Sequence, residues 1–439
     1  MKFTLSWLKR HLETDASVAD IAEALTDLGL EVEGIENPAE KLADFTIGYV
    51  QSAEKHPDAD KLRICQVDTK DGPTQIICGA PNARAGITVV IASPGTYVPG
   101  IDTTIGVGKI RGIESHGMMC SEREMELSEE HDGIIELPEG TVGQSFADWL
   151  AEHDPARVDP VIEIAITPNR PDALGVRGVA RDLAARGLGK LKPLSVDPVP
   201  ASFTADLNVS IDDDALDGNP LFCGRLIKGV KNGPSPAWLQ QQLRAIGLRP
   251  ISFLVDVTNW FTYDLNRPLH VFDADKVHGN LRVHRATGGE EIVALDDKTY
   301  TLQAGQMVIS DDNGPESIAG IMGGLNSEIF AGTETVLVES AFFDPVTIRR
   351  GSKRLGLSTE ASYRFERGAD VGGAVNALKR AISLMSQLAG GTVSTGFIDN
   401  YPKPHTPPMI DLRVDRTNRL LSTGLSKGDI SGYLQALEM

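Results

Sequence analysis

At 439 residues the chain exceeds the roughly 100–200 residues of an ordinary domain, so we expect three or four domains. Its formal net charge of −19 argues against binding nucleic acid by bulk electrostatic attraction. No apolar run approaches the roughly 20 residues that cross a bilayer, and charged residues stand near the N-terminus where a signal peptide is apolar. These features predict a soluble, cytoplasmic protein with no membrane partner.

Residues 1–38 predict a strand or turn followed by two helices, the first part of an N-terminal α+β domain. Ser6 is the expected N-cap of the first helix, and Ser17 that of the second, which ends at Gly29. The four cysteines include no C-x-x-C pair, so we expect reduced thiols rather than a zinc knuckle or a disulfide framework.

Residues 39–150 have a different sequence pattern, which predicts five short alternating strands separated by glycine-rich turns. Five strands in about a hundred residues predict a small closed barrel of OB-fold size. Between Ala43 and Leu150 there are 17 acidic and 8 basic side chains, so this barrel offers nucleic acid little electrostatic attraction.

Residues 151–200 predict a return segment of the N-terminal domain, with Asp172 as a helix N-cap and Gly187 as a stop, and then a proline-rich linker over 192–206. A large α+β domain follows over 201–400. It has a helix capped by Ser235 with Pro236 at its first position, and a long helix that buries four apolar residues, Val375, Leu378, Ile382 and Leu388. Residues 401–439 predict a strand and two short helices that begin a further domain.

The stretch Val255–Asp273 places Thr258, Asn259, His270 and Asp273 in a largely apolar, strand-like setting. Polar groups so embedded need partners or a function. Three later segments are also unusual for their surroundings, and we expect all four segments to form one site. They are the glycine-rich 319–324, the apolar 336–343 with its single carboxylate Glu339, and the polar 358–368.

Two interpretations of these residues are weighed first: a metal site and a purely structural role. A metal-dependent hydrolase would use His270, Asp273 and Glu339, but no second His or Cys stands at ligand spacing. Alternatively, His270, Asp273 and Asn259 are structural groups that satisfy backbone atoms and a turn. Asp273 fits a turn best, and we leave it out of the site.

Three stretches of the predicted barrel carry a family resemblance: HPDADKLRICQVD (56–68), ICGAPNARAG (77–86) and KIRGIESHGMMCSERE (109–124). They resemble the tRNA-binding barrel of bacterial phenylalanyl-tRNA synthetase beta subunits. VDVTNW, RPLHVFD, GIMGG, VLVESAFF and STEASYRFERG resemble, in order, the editing domain of the same subunits. The resemblance implies an α+β multidomain protein in which an N-terminal α+β domain holds an inserted OB-fold barrel and a large α+β editing domain follows. A complete subunit would continue beyond Met439.

The resemblance also implies partners and an activity. The partners would be tRNA(Phe) and an alpha subunit, in a heterotetramer of two alpha and two beta chains. ATP and Mg²⁺ would serve the complete synthetase, with no cofactor and no metal site in this chain. The activity would be hydrolysis of tRNA(Phe) mischarged with tyrosine.

The family's editing motifs assign roles to individual positions. Glu339 would bond the tyrosine hydroxyl, Gly320 and Gly323 would let the backbone approach the ring, and Ala361 would shape the pocket wall. Three residues, Thr258, Asn259 and His270, would face the aminoacyl ester and the terminal adenosine and position the attacking water. No Ser–His–Asp arrangement is present to form a covalent intermediate, and the proton acceptor stays open.

A basic cluster in RRGSKRLG supplies the candidate tRNA contacts Arg349, Arg350, Lys353 and Arg354. A solvated or internally paired face is the alternative. Two other functions stay open for the chain as a whole: an RNA-binding protein without hydrolytic activity, and a structural scaffold for the alpha subunit.

Overall fold

The computed structural model describes residues 1–128, 130–196 and 198–439. These residues form two compact units, one of 1–34 with 162–439 and one of 35–161. The finer domain boundaries expected from the sequence stay predictions. Asp197, inside the predicted linker, lies outside the described residues.

The N-terminal segment contains β1 (Lys2–Thr4), α1 (Leu5–His11), β2 (Leu12–Glu13), α2 (Val18–Asp27) and β3 (Val32–Glu36). The predicted cap Ser6 is wrong, because Ser6 lies inside the first turn and Thr4 accepts the backbone N–H of Trp7 instead. Ser17 is confirmed as the cap of α2, in a capping box with Asp20.

The unit of residues 35–161 is mainly β-structure. Its elements are α3 (Pro38–Lys41), β4 (Phe45–His56), β5 (Ala59–Thr69), β6 (Gly72–Cys78), β7 (Thr88–Ala92), β8 (Tyr97–Val98), β9 (Thr103–Thr104), β10 (Gly108–Ile110), β11 (Ile113–Ser115), β12 (Met118–Met119), β13 (Glu136–Leu137) and α4 (Phe146–His153). The five predicted strands correspond to β4, β5, β6, β7 and β12.

The main sheet of this unit has the order β12-β7-β4-β5-β6, with β13 also on β7. Beyond β11, the backbone N–H of His116 donates to the carbonyl of Gln75 in β6 at 2.9 Å, so the sheet curls towards its own far edge. The classification of this curled sheet as an inserted OB-fold barrel stays a prediction.

The rest of the chain has mixed helices and strands. In order they are β14 (Val161–Ile164), α5 (Val176–Ala185), β15 (Lys190–Leu191), β16 (Ala201–Thr204), β17 (Val209–Ile211), β18 (Leu221–Lys228), α6 (Ala237–Ala245), α7 (Phe253–Leu265), β19 (His270–Asp273), β20 (Leu281–Arg285), β21 (Glu291–Val293), β22 (Thr299–Thr301), β23 (Met307–Ser310), β24 (Pro315–Ile318), β25 (Met322–Gly323), β26 (Thr335–Phe342), α8 (Pro345–Leu355), α9 (Glu360–Phe365), α10 (Ala374–Ala389), β27 (Thr392–Thr395), β28 (Ile398–Asn400), α11 (Val414–Leu421) and α12 (Lys427–Ala436).

Two larger sheets organise this unit. The first has the order β16-β27-β18-β26-β19, with β28 also on β18, and the second has the order β17-β20-β23-β24-β25. Alternate residues of β26 enter different cores: Val336 and Val338 pack with α7 and α10, whereas Leu337 and Ala341 pack with residues of the second sheet. The first sheet therefore has helices on one face and the second sheet on the other.

Several predicted helix signals fall at other positions. Asp172 lies in a 3-10 turn and α5 begins after Gly175. Ser235 donates to Asp256 at 2.5 Å rather than capping α6, whose N-cap is Pro236. Leu388 is 49% exposed, so its predicted burial on α10 is wrong. Among the described residues of 401–439, two helices are present and the predicted strand is absent.

In the described part of the chain, no helix is long and apolar enough to cross a membrane. The four cysteines are free and buried.

Candidate active site

Glu339 enters the site because of its place on the central strand β26. With a side-chain period of two, it shares the face of Leu337 and Ala341 and points towards the second sheet. It is only 6% exposed, and its Oε2 atom has no hydrogen-bond partner among the described residues. A buried carboxylate oxygen without a partner is costly, since water no longer solvates it.

His270 is the cross-strand neighbour of Glu339. The antiparallel register of β19 and β26 places the two residues directly opposite each other, and Phe272 of the same strand face packs in the second core. The imidazole makes a T-shaped contact with the Phe272 ring at a centroid distance of 4.4 Å. No hydrogen-bond partner for the ring is found in the part of the chain that the structure describes.

Residues 319–324, which contain β25 and which we call the glycine turn, close this space from the side of the second sheet. Gly320 has φ +69°, and a Cβ there would lie 2.6 Å from Ile348 Cδ1 and 2.7 Å from Phe343 Cδ2. A Cβ on Gly323 would lie 2.5 Å from His270 Cε1. A side chain at either position would displace these neighbours, and at Gly320 the positive φ would add backbone strain.

Helix α9 supplies the remaining wall. Thr359, its N-cap, donates its hydroxyl to the carbonyl of Ile321 at 2.7 Å and so ties the helix to the glycine turn. Ala361 then faces the space that Glu339 and His270 enter. The result is a cavity of about 70 Å³, lined by Pro268, Leu269, His270, Ser317, Gly320, Ile321, Met322, Gly323, Glu339, Phe343, Ala361 and Phe365. We call it the Glu339 cavity.

Burial leaves both titratable groups of the Glu339 cavity uncharged near neutral pH. It raises the pKa of Glu339 to about 8 and lowers the pKa of His270 to about 4. A protonated carboxyl group both donates and accepts, so it matches a ligand hydroxyl. A histidine with so low a pKa is a weak base, which suits it to hydrogen bonding and positioning more than to proton abstraction.

Five of the seven residues predicted for the catalytic site and editing pocket line this cavity: His270, Gly320, Gly323, Glu339 and Ala361. Thr258 and Asn259 do not. The strand-like setting expected for them is wrong, because residues 253–265 form α7, which packs against α10 on the opposite face of the first sheet from Glu339. There Thr258 donates its hydroxyl to the carbonyl of Val255 at 2.7 Å, an ordinary helix contact.

Asp273 is a structural residue, as its exclusion from the site requires. Its carboxylate accepts from the backbone N–H of Asp275 at 3.2 Å and from the Thr333 hydroxyl at 2.8 Å. In the described residues no group of three or more His, Cys, Asp or Glu side chains is arranged to hold a metal ion.

Sequence reasoning missed several residues that line the cavity, among them Ser317, Phe343 and Phe365. Phe343 and Phe365 belong to the same motifs as Glu339 and Ala361, so their proximity in sequence was an available signal. Ser317 had none, because only the pairing of β24 with β25 at Gly323 brings it there.

The four cations predicted to contact tRNA lie on α8 and are all exposed. Arg364 and Arg367, close by in sequence, are occupied: Arg364 is buried against the Thr262 carbonyl and Glu360, and Arg367 bonds Glu366 at 2.7 Å. For the four residues of α8, no hydrogen bond or ion pair is found among the described residues.

Comparison with known proteins connects this site to a family. Residues 45–144 match the model of a "Putative tRNA binding domain", and residues 218–390 match the model of the "B3/4 domain". The Phenylalanine--tRNA ligase beta subunit of Ruegeria pomeroyi is 65% identical over 406 residues, which are 92% of this chain and 51% of that protein. The beta subunit of Brucella suis is 54% identical over 442 residues, 100% of this chain and 54% of its own length.

The chain belongs to the family of phenylalanine–tRNA ligase beta subunits. It corresponds to an N-terminal portion and spans about half the length of the curated relatives it matches. The Glu339 cavity lies wholly inside the B3/4 domain, since all its lining residues fall within 218–390. The match to a solved N-terminal fragment of the phenylalanyl-tRNA synthetase beta-subunit from Pyrococcus horikoshii covers 67% of this chain and 85% of that fragment, at 14% identity and a TM-score of 0.34.

Proposed function

We propose that the B3/4 domain of this beta-subunit chain hydrolyses tRNA(Phe) mischarged with tyrosine, and that the Glu339 cavity receives the tyrosine side chain. The observation behind the proposal is that Glu339, whose Oε2 has no hydrogen-bond partner among the described residues, lines one cavity with its cross-strand neighbour His270. Two polar side chains for which the described residues supply no hydrogen-bond partner favour a ligand that supplies a hydroxyl.

Selectivity follows from the cost of leaving Glu339 unpaired. Tyrosine differs from phenylalanine by one hydroxyl group. An apolar pocket that binds phenylalanine cannot strongly reject tyrosine, so the charging reaction needs a second site that removes tyrosine. In the Glu339 cavity the preference is inverted. Tyrosine satisfies the carboxyl group, whereas phenylalanine buries it without a partner at a cost of roughly 1–3 kcal/mol.

His270 would lie beside the ester and orient the attacking water. Its low pKa keeps it neutral, so it can accept a hydrogen bond from water without carrying a charge into the cavity. No covalent intermediate is part of the proposal. Thr258 and Asn259 have no role in it, because they lie outside the cavity.

For the complete protein we propose the function that the relatives' names state. Together with an alpha subunit, in a complex of two alpha and two beta chains, it would charge tRNA(Phe) with phenylalanine. ATP and Mg²⁺ would serve that charging reaction in the complete complex. Residues 45–144 would contribute tRNA binding.

Deacylation of purified Tyr-tRNA(Phe) and Phe-tRNA(Phe) by the chain tests the editing proposal. We expect faster hydrolysis of Tyr-tRNA, and in Glu339→Ala a loss of at least about tenfold in the ratio of the two kcat/KM values, since one lost hydrogen bond to a buried group is worth about 1.4 kcal/mol. Glu316 is a matched control, because it is a buried carboxylate of the second sheet that does not line the cavity.

Glu316→Ala should leave the ratio unchanged. An equal drop in both variants would refute the assignment of Glu339. Absence of any hydrolysis by the wild-type chain would favour the RNA-binding or scaffold function instead.

A further inference from the structure

A second cavity, of about 140 Å³, lies beside α8, and all its lining residues except Asp217 fall within the B3/4 match of 218–390. Its polar lining includes Asp217, Arg285, Gln306, Thr347, Arg350 and Arg354. We call it the arginine cavity. Three arginines line it, in a chain whose formal net charge is −19.

One of the three arginines, Arg285, uses all its guanidinium nitrogens in hydrogen bonds within the chain. Arg285 donates to the carbonyls of Asp214 at 2.7 Å and Gly305 at 3.1 Å, and its remaining nitrogen bonds Asp217 at 2.5 Å. Its charge is therefore offset by Asp217. Arg350 and Arg354 have no hydrogen-bond or ion-pair partner among the described residues, so the cavity keeps two uncompensated positive charges.

The geometry of α8 divides its four cations into two pairs. Arg350 and Arg354 are four residues apart, on one helix face, and both line the cavity. Arg349 and Lys353 have the same spacing and are equally exposed, but they do not line it. The sequence predicted all four alike, and the structure singles out two.

The arginine cavity adjoins the Glu339 cavity. Ile321 lines both. Helix α8 rests on the glycine turn so closely that a Cβ on Gly351 would lie 2.9 Å from Ile321 Cδ1, and one on Gly320 would lie 2.6 Å from Ile348 Cδ1. An anion held by Arg350 and Arg354 is thus one side chain away from the space that Glu339 enters.

We propose that the arginine cavity binds a backbone phosphate of the single-stranded 3′ end of tRNA and thereby holds the aminoacyl ester at the Glu339 cavity. Guanidinium groups present paired donors that match phosphate oxygens, and the Thr347 hydroxyl adds a further donor. A phosphate contact fixes the position of the RNA without reading its sequence, which is what a site acting on one terminal ester needs. The inference rests on the proposed hydrolysis for its purpose, but phosphate binding is measurable without it.

The test is calorimetric titration of the full chain with the trinucleotide CCA bearing a 5′ phosphate. We expect Arg350→Gln/Arg354→Gln to weaken binding by about tenfold or more. For a single strand, the slope of log K against log salt should become shallower by about 0.7 for each phosphate that the variant no longer neutralises. Arg349→Gln/Lys353→Gln, the matched control, changes the net charge equally and should keep the wild-type affinity.

If both double variants bound the trinucleotide equally more weakly than the wild type, the effect would come from general surface charge, and the proposal would be overturned. A wild-type chain that binds inorganic phosphate but not the trinucleotide would overturn it as well.

Hydrolysis separates this inference from the proposed function. Arg350→Gln/Arg354→Gln should raise KM for Tyr-tRNA by about tenfold and leave hydrolysis of 3′-O-tyrosyl-adenosine, which has no phosphate, unchanged. Glu339→Ala should impair both substrates. If the wild-type chain hydrolyses neither, the proposed function fails, while the titration still decides whether the cavity binds the RNA phosphate.

Discussion

Two buried carboxylates in the same unit have opposite environments. Asp264 of α7 is 0% exposed, and its Oδ1 accepts from Trp7 Nε1 at 2.8 Å and contacts His11 Nε2 at 2.6 Å. Burial favours its neutral form, yet His11 and Trp7 outweigh that effect and hold its pKa below the ordinary value. Among the described residues Glu339 has no such partners, and burial raises its pKa to about 8.

The hydrogen-bond partners of a buried acid indicate whether it holds the fold together or is available to a ligand. Asp264 joins helix α7 to the N-terminal helix α1, in the core where Trp7 stacks on Trp260 at 5.7 Å. Glu339 joins nothing and faces a cavity. In this comparison the partnered acid is expected to contribute to stability and the acid beside the cavity to cost stability, and the proposed ligand would offset that cost.

The largest expected effect is on the partnered acid. Asp264→Ala leaves His11 and Trp7 Nε1 buried without their acceptor and should lower the free energy of unfolding by about 3–5 kcal/mol. Because the folded pKa of Asp264 is lowered, its contribution is present above pH 3.8 and is lost as the pH falls through the folded value. Urea denaturation measures the change.

Asp415→Ala, an exposed acid of α11, is the control and should stay within about 0.5 kcal/mol of the wild type. A similar small change in Asp264→Ala would show that the His11–Asp264 pair is not structural.

The unpartnered acid should behave in the opposite way. Between pH 4.5 and about 8 the folded protein keeps a proton on Glu339 that the unfolded chain has released, so wild-type stability falls as the pH rises through this window. Glu339→Gln stays neutral throughout. At pH 7 we expect the variant to be more stable by about 3 kcal/mol, shown by denaturation series at several pH values.

Below pH 4.5 the gap between Glu339→Gln and the wild type should close, which serves as the internal control. A gap independent of pH would contradict the raised pKa.

A smaller effect is expected at His270. The unfolded chain takes up a proton below pH 6.5, whereas desolvation keeps the folded ring neutral down to about pH 4, so wild-type stability falls as the pH falls through this window. Glu339, opposite, is protonated there and offers no counter-charge. At pH 5 the loss relative to pH 7 is about 2 kcal/mol.

His270→Ala should lack this acid-dependent loss while carrying a cost that does not vary with pH for the space it leaves. Thermal denaturation of both proteins from about pH 7 to about pH 5 measures the difference. Parallel curves would mean that the folded His270 titrates normally.

The sequence predicted those parts of the molecule that local chemistry determines. Ser17 caps α2 because its side chain precedes the free N–H groups it satisfies, and the strands of residues 45–92 follow from short apolar alternation. Where several residues satisfy the same local rule, prediction failed. Ser6 and Thr4 both precede helical residues, and only the position of the first turn decides for Thr4.

By itself the sequence determined that Glu339 is isolated in an apolar strand and that a glycine-rich segment and a polar segment accompany it. Tertiary structure decided what these residues meet. Strand register puts His270 opposite Glu339 although they are far apart in the chain, and the same helix α7 that pairs Asp264 with His11 removes Thr258 and Asn259 from the cavity. Which two of the four cations on α8 enter a cavity was likewise set by the packing of that helix on the glycine turn. The physical reason is common to all of these: burial, pKa and access depend on residues far away in sequence, which only the folded chain brings together.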